Sequence, residues 1–159
     1  MAGSVLVAGR IVKQSWRPGY GSAVRVSAKV DYALRAMLEL AAAGTLVKGE
    51  HLSTAQAIPR KFLESILVQL RNEELVASQR GVEGGYALAR PAEEISVADV
   101  IRAVEGPIAT VRGARPEDVE YVGAAAGLQP LWLDLRTAMR DVLEQTTLAD
   151  LVARSSSPP

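Results

Sequence analysis

The feature that most constrains this chain is a glycine-rich tip between two short strand-like segments. Residues 75–79 and 86–89 have the composition of strands, and Arg80 and the pair Gly84-Gly85 lie between them. Glycine adopts the backbone conformations that a tight hairpin turn requires. The sequence therefore predicts a β-hairpin that carries an arginine at its tip.

A helix is predicted directly before this hairpin. In residues 59–75 apolar side chains recur at spacings of three and four, the pattern of a helix with one buried face, and Pro59 suits its first turn. The side chains predicted to be buried are Ile58, Phe62, Leu63, Ile66, Leu67 and Leu70. A helix followed by a hairpin predicts a winged helix-turn-helix, whose helix lies in the DNA major groove.

Helical periodicity continues on both sides of this unit. Ser27, Ser96 and Thr147 precede three of the predicted helices as N-caps. The predicted helices cover residues 28–43, 48–56, 97–105, 130–145 and 148–153. The predicted fold class is therefore mostly α with a small β-hairpin wing, that is, a winged helix-turn-helix plus a long C-terminal dimerisation helix.

The helix predicted over residues 130–145 has a wide apolar face. A small winged domain does not need this much apolar surface, so we expect the helix to pack against its twin in a homodimer. The residues predicted for this interface are Leu128, Leu131, Trp132, Leu135, Ala138, Met139, Val142 and Leu143.

The chain divides into predicted parts of different character. They are a disordered basic extension (1–23), a winged helix-turn-helix DNA-binding domain (24–107), a loop (108–129), the dimerisation helix with a short last helix (130–153) and a tail (154–159). Residues 1–23 are rich in glycine and lack periodicity, which is typical of disorder. Two other interpretations stay open: that natural translation starts at Val24, and that the segment is a basic arm entering the minor groove.

Charge is distributed unevenly although the formal net charge is zero. Residues 1–90 contain 12 Lys and Arg against 7 Asp and Glu, whereas residues 91–159 contain 6 against 11. Such an asymmetry indicates a basic surface in the first half. The acidic half does not prevent nucleic-acid binding, because salt screens charges beyond about 10 Å.

The sequence contains no cysteine and one histidine, His51. The lack of cysteine excludes disulfides, thiol chemistry and cysteine-ligated zinc or iron–sulfur clusters. His51 lies in a polar helix start, where a solvated side chain is expected rather than a metal ligand. With no phosphate-binding loop and no evident acid–base pair, we predict that the chain is not an enzyme. No apolar run approaches the roughly 20 residues of a membrane span, so a cytoplasmic location is expected.

Several of these segments together resemble the IscR/NsrR/CymR family of bacterial winged-helix transcription regulators, also called the Rrf-two family. The resemblance covers roughly residues 24–153. The matching segments are 25–36, 58–67, 78–86 with its Gly-Gly-Tyr, 95–101, 104–107 with its Glu-Gly-Pro, 131–132 and 146–151.

This resemblance implies a homodimer that binds a near-palindromic operator, with the long helix crossing to its partner. Many family members hold an iron–sulfur cluster on three cysteines in the loop that here spans 108–129. That loop has no cysteine, so the chain is similar to the cysteine-free members and no cofactor is expected. Ala57 and Glu74 replace two glycines of the family pattern. If either position needs a positive φ, it carries strain of about 1 kcal/mol.

The candidate DNA-binding residues lie at the starts of the first and third predicted helices and on the wing. They are Ser27, Lys29, Arg60, Lys61, Glu64, Ser65, Gln79, Arg80, Gly84 and Tyr86. Arg80 is expected to pair with phosphate or to enter a narrow minor groove, the alternative being a solvated hairpin charge. Glu64 either accepts a hydrogen bond from cytosine or pairs with Arg60.

The other candidates have more general roles. Arg60 and Lys61 are expected to contact phosphate or guanine, and Ser27 and Lys29 to contact phosphate. Tyr86 is expected to pack against the third helix with its hydroxyl available to a phosphate.

These features together predict a sequence-specific DNA-binding transcriptional regulator, a homodimeric repressor of double-stranded DNA operators. Its signal is left open between a small molecule and a partner protein, with the loop 108–129 and the groove beside Trp132 as candidate places. The alternative is a protein-interaction adaptor built on the winged domain. A steep fall of DNA affinity with salt distinguishes the two, because phosphate contacts release counterions.

Overall fold

The computed structural model describes residues 5–7, 10–12 and 26–155. Two antiparallel strand pairs and a set of packed helices make up this part of the chain. In chain order the elements are β1 (Val5–Val7), β2 (Arg10–Val12), α1 (Ala28–Ala43), α2 (Gly49–Ala55), α3 (Arg60–Asn72), β3 (Val76–Gln79), β4 (Gly85–Leu88), α4 (Val97–Glu105), α5 (Leu128–Gln145) and α6 (Leu148–Ser155). The predicted fold class, mostly α with a small β-hairpin wing, is confirmed.

Helix starts follow the predicted caps. Ser27 Oγ accepts a hydrogen bond from the Val30 N–H at 3.1 Å. Ser96 forms a capping box with Asp99, in which each side chain accepts from the other residue's backbone N–H. These bonds satisfy amide groups that the first helical turn would otherwise leave without partners, so α1 and α4 begin where the sequence predicts.

The core lies between α1 and the elements that surround it. On α1 the side chains of Ala33, Ala36, Met37 and Leu40 are at most 1% exposed. This face packs against α3, α4 and α6, and Leu148 of α6 is fully buried in the same core. The last helix is therefore part of the winged domain, although the long α5 precedes it.

Two turns place a residue other than glycine in a backbone conformation that glycine favours. Ala57, before α3, has a φ of 50°, and Glu74, after α3, has a φ of 56°. Both are in the left-handed region, where a side chain with a Cβ costs about 1 kcal/mol relative to glycine. The strain expected at these two positions is therefore present.

Other regions differ in detail from the sequence-based expectations. α3 ends at Asn72, and the predicted loop 108–129 contains 3₁₀ turns at Pro116–Asp118 and Gly123–Gly127. α5 begins at Leu128, before the predicted Pro130. None of the described helices is both long and apolar enough to cross a membrane.

The N-terminal segment is described only in part. β1 and β2 pair antiparallel with Val5 opposite Val12, so regular structure occurs within the segment for which disorder is predicted. The other residues of 1–23, and residues 156–159 of the predicted tail, lie outside the described part of the chain.

Candidate nucleic-acid interface

The third helix presents one buried face and one polar face. Leu63, Ile66, Leu67 and Leu70 are at most 2% exposed, which anchors α3 in the core. The predicted contact residues Arg60, Lys61, Glu64 and Ser65 are all exposed at its N-terminal end. That end is where recognition helices usually meet base edges.

Phe62 is a correction to the sequence-based expectation. The sequence predicts that it is buried, yet the residue is 60% exposed, and its ring makes a T-shaped contact with that of Tyr32, the two centroids 6.3 Å apart. Because successive helical residues are turned by about 100°, Phe62 lies about 90° from the centre of the stripe formed by Leu63, Ile66, Leu67 and Leu70. An aromatic side chain therefore stands on the surface beside the polar face.

Arg60 and Glu64 lie one turn apart and pair. Arg60 Nε lies 3.2 Å from Glu64 Oε1, and both side chains are well exposed. Of the two roles considered for Glu64, the structure has the intrahelical pair. An exposed pair of this kind contributes little to stability, so both groups remain accessible to other partners.

The wing is a β-hairpin closed by glycine-dependent backbone contacts. β3 and β4 pair antiparallel, with Ser78 opposite Tyr86 and Gln79 opposite Gly85. A Cβ at Gly84 would lie 2.3 Å from the Gln79 carbonyl oxygen, so this position requires glycine. Arg80 is exposed at the tip, as predicted.

A residue outside the hairpin extends the wing. Val47, between α1 and α2, forms an antiparallel bridge with Tyr86. The Tyr86 ring lies against Gly49 at the start of α2, where an added Cβ would be 3.3 Å away. Tyr86 also packs against the buried core to which α3 contributes Leu63, Ile66, Leu67 and Leu70. This arrangement draws the start of α2 next to the wing.

A groove of about 430 Å³ results between the wing and the start of α2. Lys48, Arg71 and Arg80 line it together with Gln79, and no acidic side chain of the described residues does so. Sequence reasoning missed Lys48 and Arg71, since only the fold brings them to Arg80. In the sequence, the sign of such a role is the positive charge of Lys48 and Arg71, which many exposed residues share.

The predicted contacts at the start of α1 have other partners. Ser27 caps the helix. The Lys29 ammonium donates a hydrogen bond to the Val104 carbonyl at the end of α4. That bond helps to satisfy the carbonyl groups at a helix C-terminus, so in this structure Lys29 connects two helices of the winged domain.

The long helix exposes an apolar stripe. Leu128, Leu131, Leu135 and Val142 are between 37% and 66% exposed, and no residue of α5 is fully buried. On its inner side Trp132, Met139 and Leu143 line an apolar groove of about 950 Å³ toward α1 and α4. Trp132 Nε1 donates to the Tyr121 hydroxyl at 3.1 Å.

The fold and this surface define a winged helix-turn-helix protein of the transcription-regulator class. Residues 26–154 match the model of the Rrf2 (Rrf-two) family, described as an iron-dependent transcriptional regulator. The chain belongs to this family of DNA-binding transcriptional regulators.

Relatives and solved structures agree with this assignment. A provisionally named HTH-type transcriptional regulator of Mycobacterium tuberculosis H37Rv, Rv1287, is 53% identical, covering 80% of this chain and 81% of the relative. CymR of Bacillus subtilis strain 168 is 35% identical, covering 82% and 91%. The structure of CymR, the global cysteine regulator of B. subtilis, matches with a TM-score of 0.71 at 32% identity, covering 82% and 98%. T. potens IscR matches with 0.69 at 27%, covering 86% and 94%.

The iron in the family description has no matching ligands here. The whole sequence lacks cysteine. In the described part of the chain, no group of three or more His, Asp or Glu residues could hold a metal ion. The residues present therefore do not fit an iron–sulfur cluster.

Proposed function

We propose that this chain is a homodimeric, sequence-specific repressor that binds a near-palindromic operator without an iron–sulfur cluster. The proposal rests on the acid-free groove of Lys48, Arg71 and Arg80 between the wing and the start of α2, together with the exposed polar side chains at the start of α3. Cationic side chains on one surface fix a protein on phosphates, while an adjacent helix contacts base edges.

Each part of this surface has a role in the proposal. Arg80 at the wing tip contacts phosphate or the minor groove, and Lys48 and Arg71 contact the phosphates between wing and helix. Arg60, Lys61 and Ser65 face the major groove, joined by Phe62, whose ring can contact a thymine methyl group.

The homodimer is proposed from the exposed stripe on α5. Leucine and valine side chains in a row along one helix face favour burial against a second copy of the same face. A two-fold dimer places two wings and two recognition helices on one side of the DNA, which matches a near-palindromic operator. The signal that controls it is a small molecule or a partner protein.

Fluorescence anisotropy on DNA from the upstream region of its own gene tests the proposal. We expect saturable binding that resists nonspecific competitor and weakens steeply with salt. Arg80→Ala should weaken it, whereas Arg154→Ala on α6 should not. Failure to bind both this DNA and a genome-wide fragment pool would favour the protein-interaction adaptor.

A further inference from the structure

A second charged cavity lies where α4, the loop after it and α5 meet. Its volume is about 470 Å³, within the range of small-molecule sites. It contains four guanidinium groups and two carboxylates, from Arg102, Arg115, Arg136, Arg140, Glu117 and Glu144.

The two carboxylates pair with three of the arginines. Arg102 and Arg140 both bond Glu144, the latter at 3.1 Å, and Arg136 bonds Glu117. The hydrogen bonds from Arg102 and then Arg140 lower the pKa of Glu144. A backbone hydrogen bond, followed by Arg136, lowers the pKa of Glu117. Both carboxylates are therefore ionised at neutral pH, and the cavity keeps a surplus of positive charge.

Arg115 supplies part of that surplus. It is exposed, and within the described ranges its guanidinium forms no ion pair at 4 Å or less, although its charge acts on Glu117. A concave surface lined by one sign of charge concentrates ions of the opposite sign. The planar guanidinium fork also matches the oxygen pairs of phosphate and carboxylate groups.

The cavity is separate from the stripe proposed for the dimer. At about 100° per residue, Arg136 is turned about 140° from Leu131, and Arg140 about 160° from Val142. A twin helix on the stripe would therefore leave the cavity open to solvent.

We propose that this cavity binds a small oxyanion that carries two or more negative charges on phosphate or carboxylate groups. The anion accepts hydrogen bonds from Arg115 and from Arg136 and Arg140 of α5. It thereby displaces part of the contact of Arg136 with Glu117 and of Arg140 with Glu144. This site lies outside the DNA-binding surface, and its occupancy is measurable without DNA.

Isothermal titration calorimetry of the full chain tests the proposal, with inorganic pyrophosphate and with citrate in separate titrations at constant ionic strength. We expect at least one of these two anions to bind saturably. The anion that binds more tightly identifies whether the cavity prefers phosphate or carboxylate groups. Arg115→Gln should weaken the binding by about tenfold or more. Glu117→Gln should strengthen it, because it removes a negative charge that competes for Arg136.

Arg154→Gln is the matched control, since Arg154 does not line the cavity, and it should leave the affinity unchanged. Circular dichroism verifies that each variant is folded. The proposal is overturned if neither anion binds, or if Arg115→Gln binds as tightly as the natural chain, because the anion would then lie elsewhere. A loss of affinity in Glu117→Gln would also contradict it.

Discussion

Val47 and Tyr86 exchange both of their backbone hydrogen bonds, each with an N···O distance of 2.8 Å. Val47 thereby pairs with β4 of the wing as a third strand that is one residue long. The contact depends on Gly85, because a Cβ there would lie 2.7 Å from the Val47 carbonyl oxygen. The wing is therefore fixed to the segment between α1 and α2 as well as to α3.

Gly85→Ala tests this attachment. The added methyl group must displace backbone atoms of Val47, so we expect a loss of about 1–3 kcal/mol in the free energy of unfolding and weaker DNA binding. Urea denaturation and anisotropy measure the two effects. Gly127→Ala is the control, because a Cβ there would meet nothing within 4 Å. Equal unfolding midpoints for the two variants would contradict the role of Gly85.

Ala57→Gly should stabilise the protein. Ala57 has a φ of 50°, so removing its Cβ relieves strain, and a gain of up to about 1 kcal/mol is expected after the added flexibility of the unfolded chain is subtracted. Thermal unfolding measures it. Ala55→Gly, at the last residue of α2, provides the matched control and should destabilise by up to about 1 kcal/mol. If both glycines destabilise alike, Ala57 is not strained.

Elements with local signals were predictable from the sequence. α1 and α4 have the predicted bounds because each begins after a serine cap and ends before a glycine, Gly44 or Gly106, with positive φ. Such interactions involve residues a few positions apart and leave a recognisable pattern.

What depends on distant contacts was not predictable in this way. Lys48 approaches Arg80 because its neighbour Val47 pairs with Tyr86, 39 positions later in the chain, and Arg71 lies beside the wing at Ser78. Phe62 has helical spacing to the core residues, but its exposure depends on whether another element covers the first turn of α3. Periodicity identifies a face and does not show how wide the buried part of it is.

Phe62→Ala should affect DNA binding more than stability. Truncating a fully buried phenylalanine to alanine costs about 3–5 kcal/mol of folding stability. Phe62 is 60% exposed, so we expect Phe62→Ala to cost less than about 1.5 kcal/mol. Leu63→Ala, at 1% exposure, should cost about 2–5 kcal/mol. Urea denaturation compares the two. Operator affinity of Phe62→Ala equal to that of the natural chain would exclude a base contact by this ring.

Asp150 makes the stability of the last helix depend on pH. Its carboxylate accepts hydrogen bonds from the Thr147 N–H and hydroxyl, each at 2.9 Å, and these bonds lower its pKa. Because the pKa of Asp150 is lower in the folded chain, its ionised carboxylate stabilises the fold at pH values above its ordinary pKa of 3.8. This stabilisation is lost as the pH falls through the lower pKa of the folded state. Asp150→Asn should therefore be less stable than the natural chain near neutral pH, and the difference should shrink in acid.

Urea denaturation of both proteins from about pH 7 down to about pH 3 measures this difference. Asp134→Asn is a suitable control, because the exposed Asp134 of α5 accepts no hydrogen bond from a helix cap. A difference between Asp150→Asn and the natural chain that stays constant over the range would show that the charge of Asp150 is not responsible.

The exposed stripe of α5 should determine the oligomeric state. Val142 is 66% exposed and Leu131 is 53% exposed, on the same side of the helix. Leu131→Asp with Val142→Asp places like charges opposite each other in a two-fold interface and desolvates them on association. We expect the dimer to dissociate into folded monomers, because these residues contribute no buried side chain to the core. Multi-angle light scattering measures the mass, and circular dichroism the helix content.

Operator binding should weaken in parallel, because one winged domain then contacts only one half-site. Thr137→Asp is the control for adding charge to α5, since Thr137 is exposed and lies about 140° around the helix from Val142. The Thr137→Asp variant should still have the mass of a dimer. A monomeric natural chain, or a double variant that stays dimeric, would show that the stripe does not form the interface, because aspartates at both positions could not be buried there without a large loss of affinity.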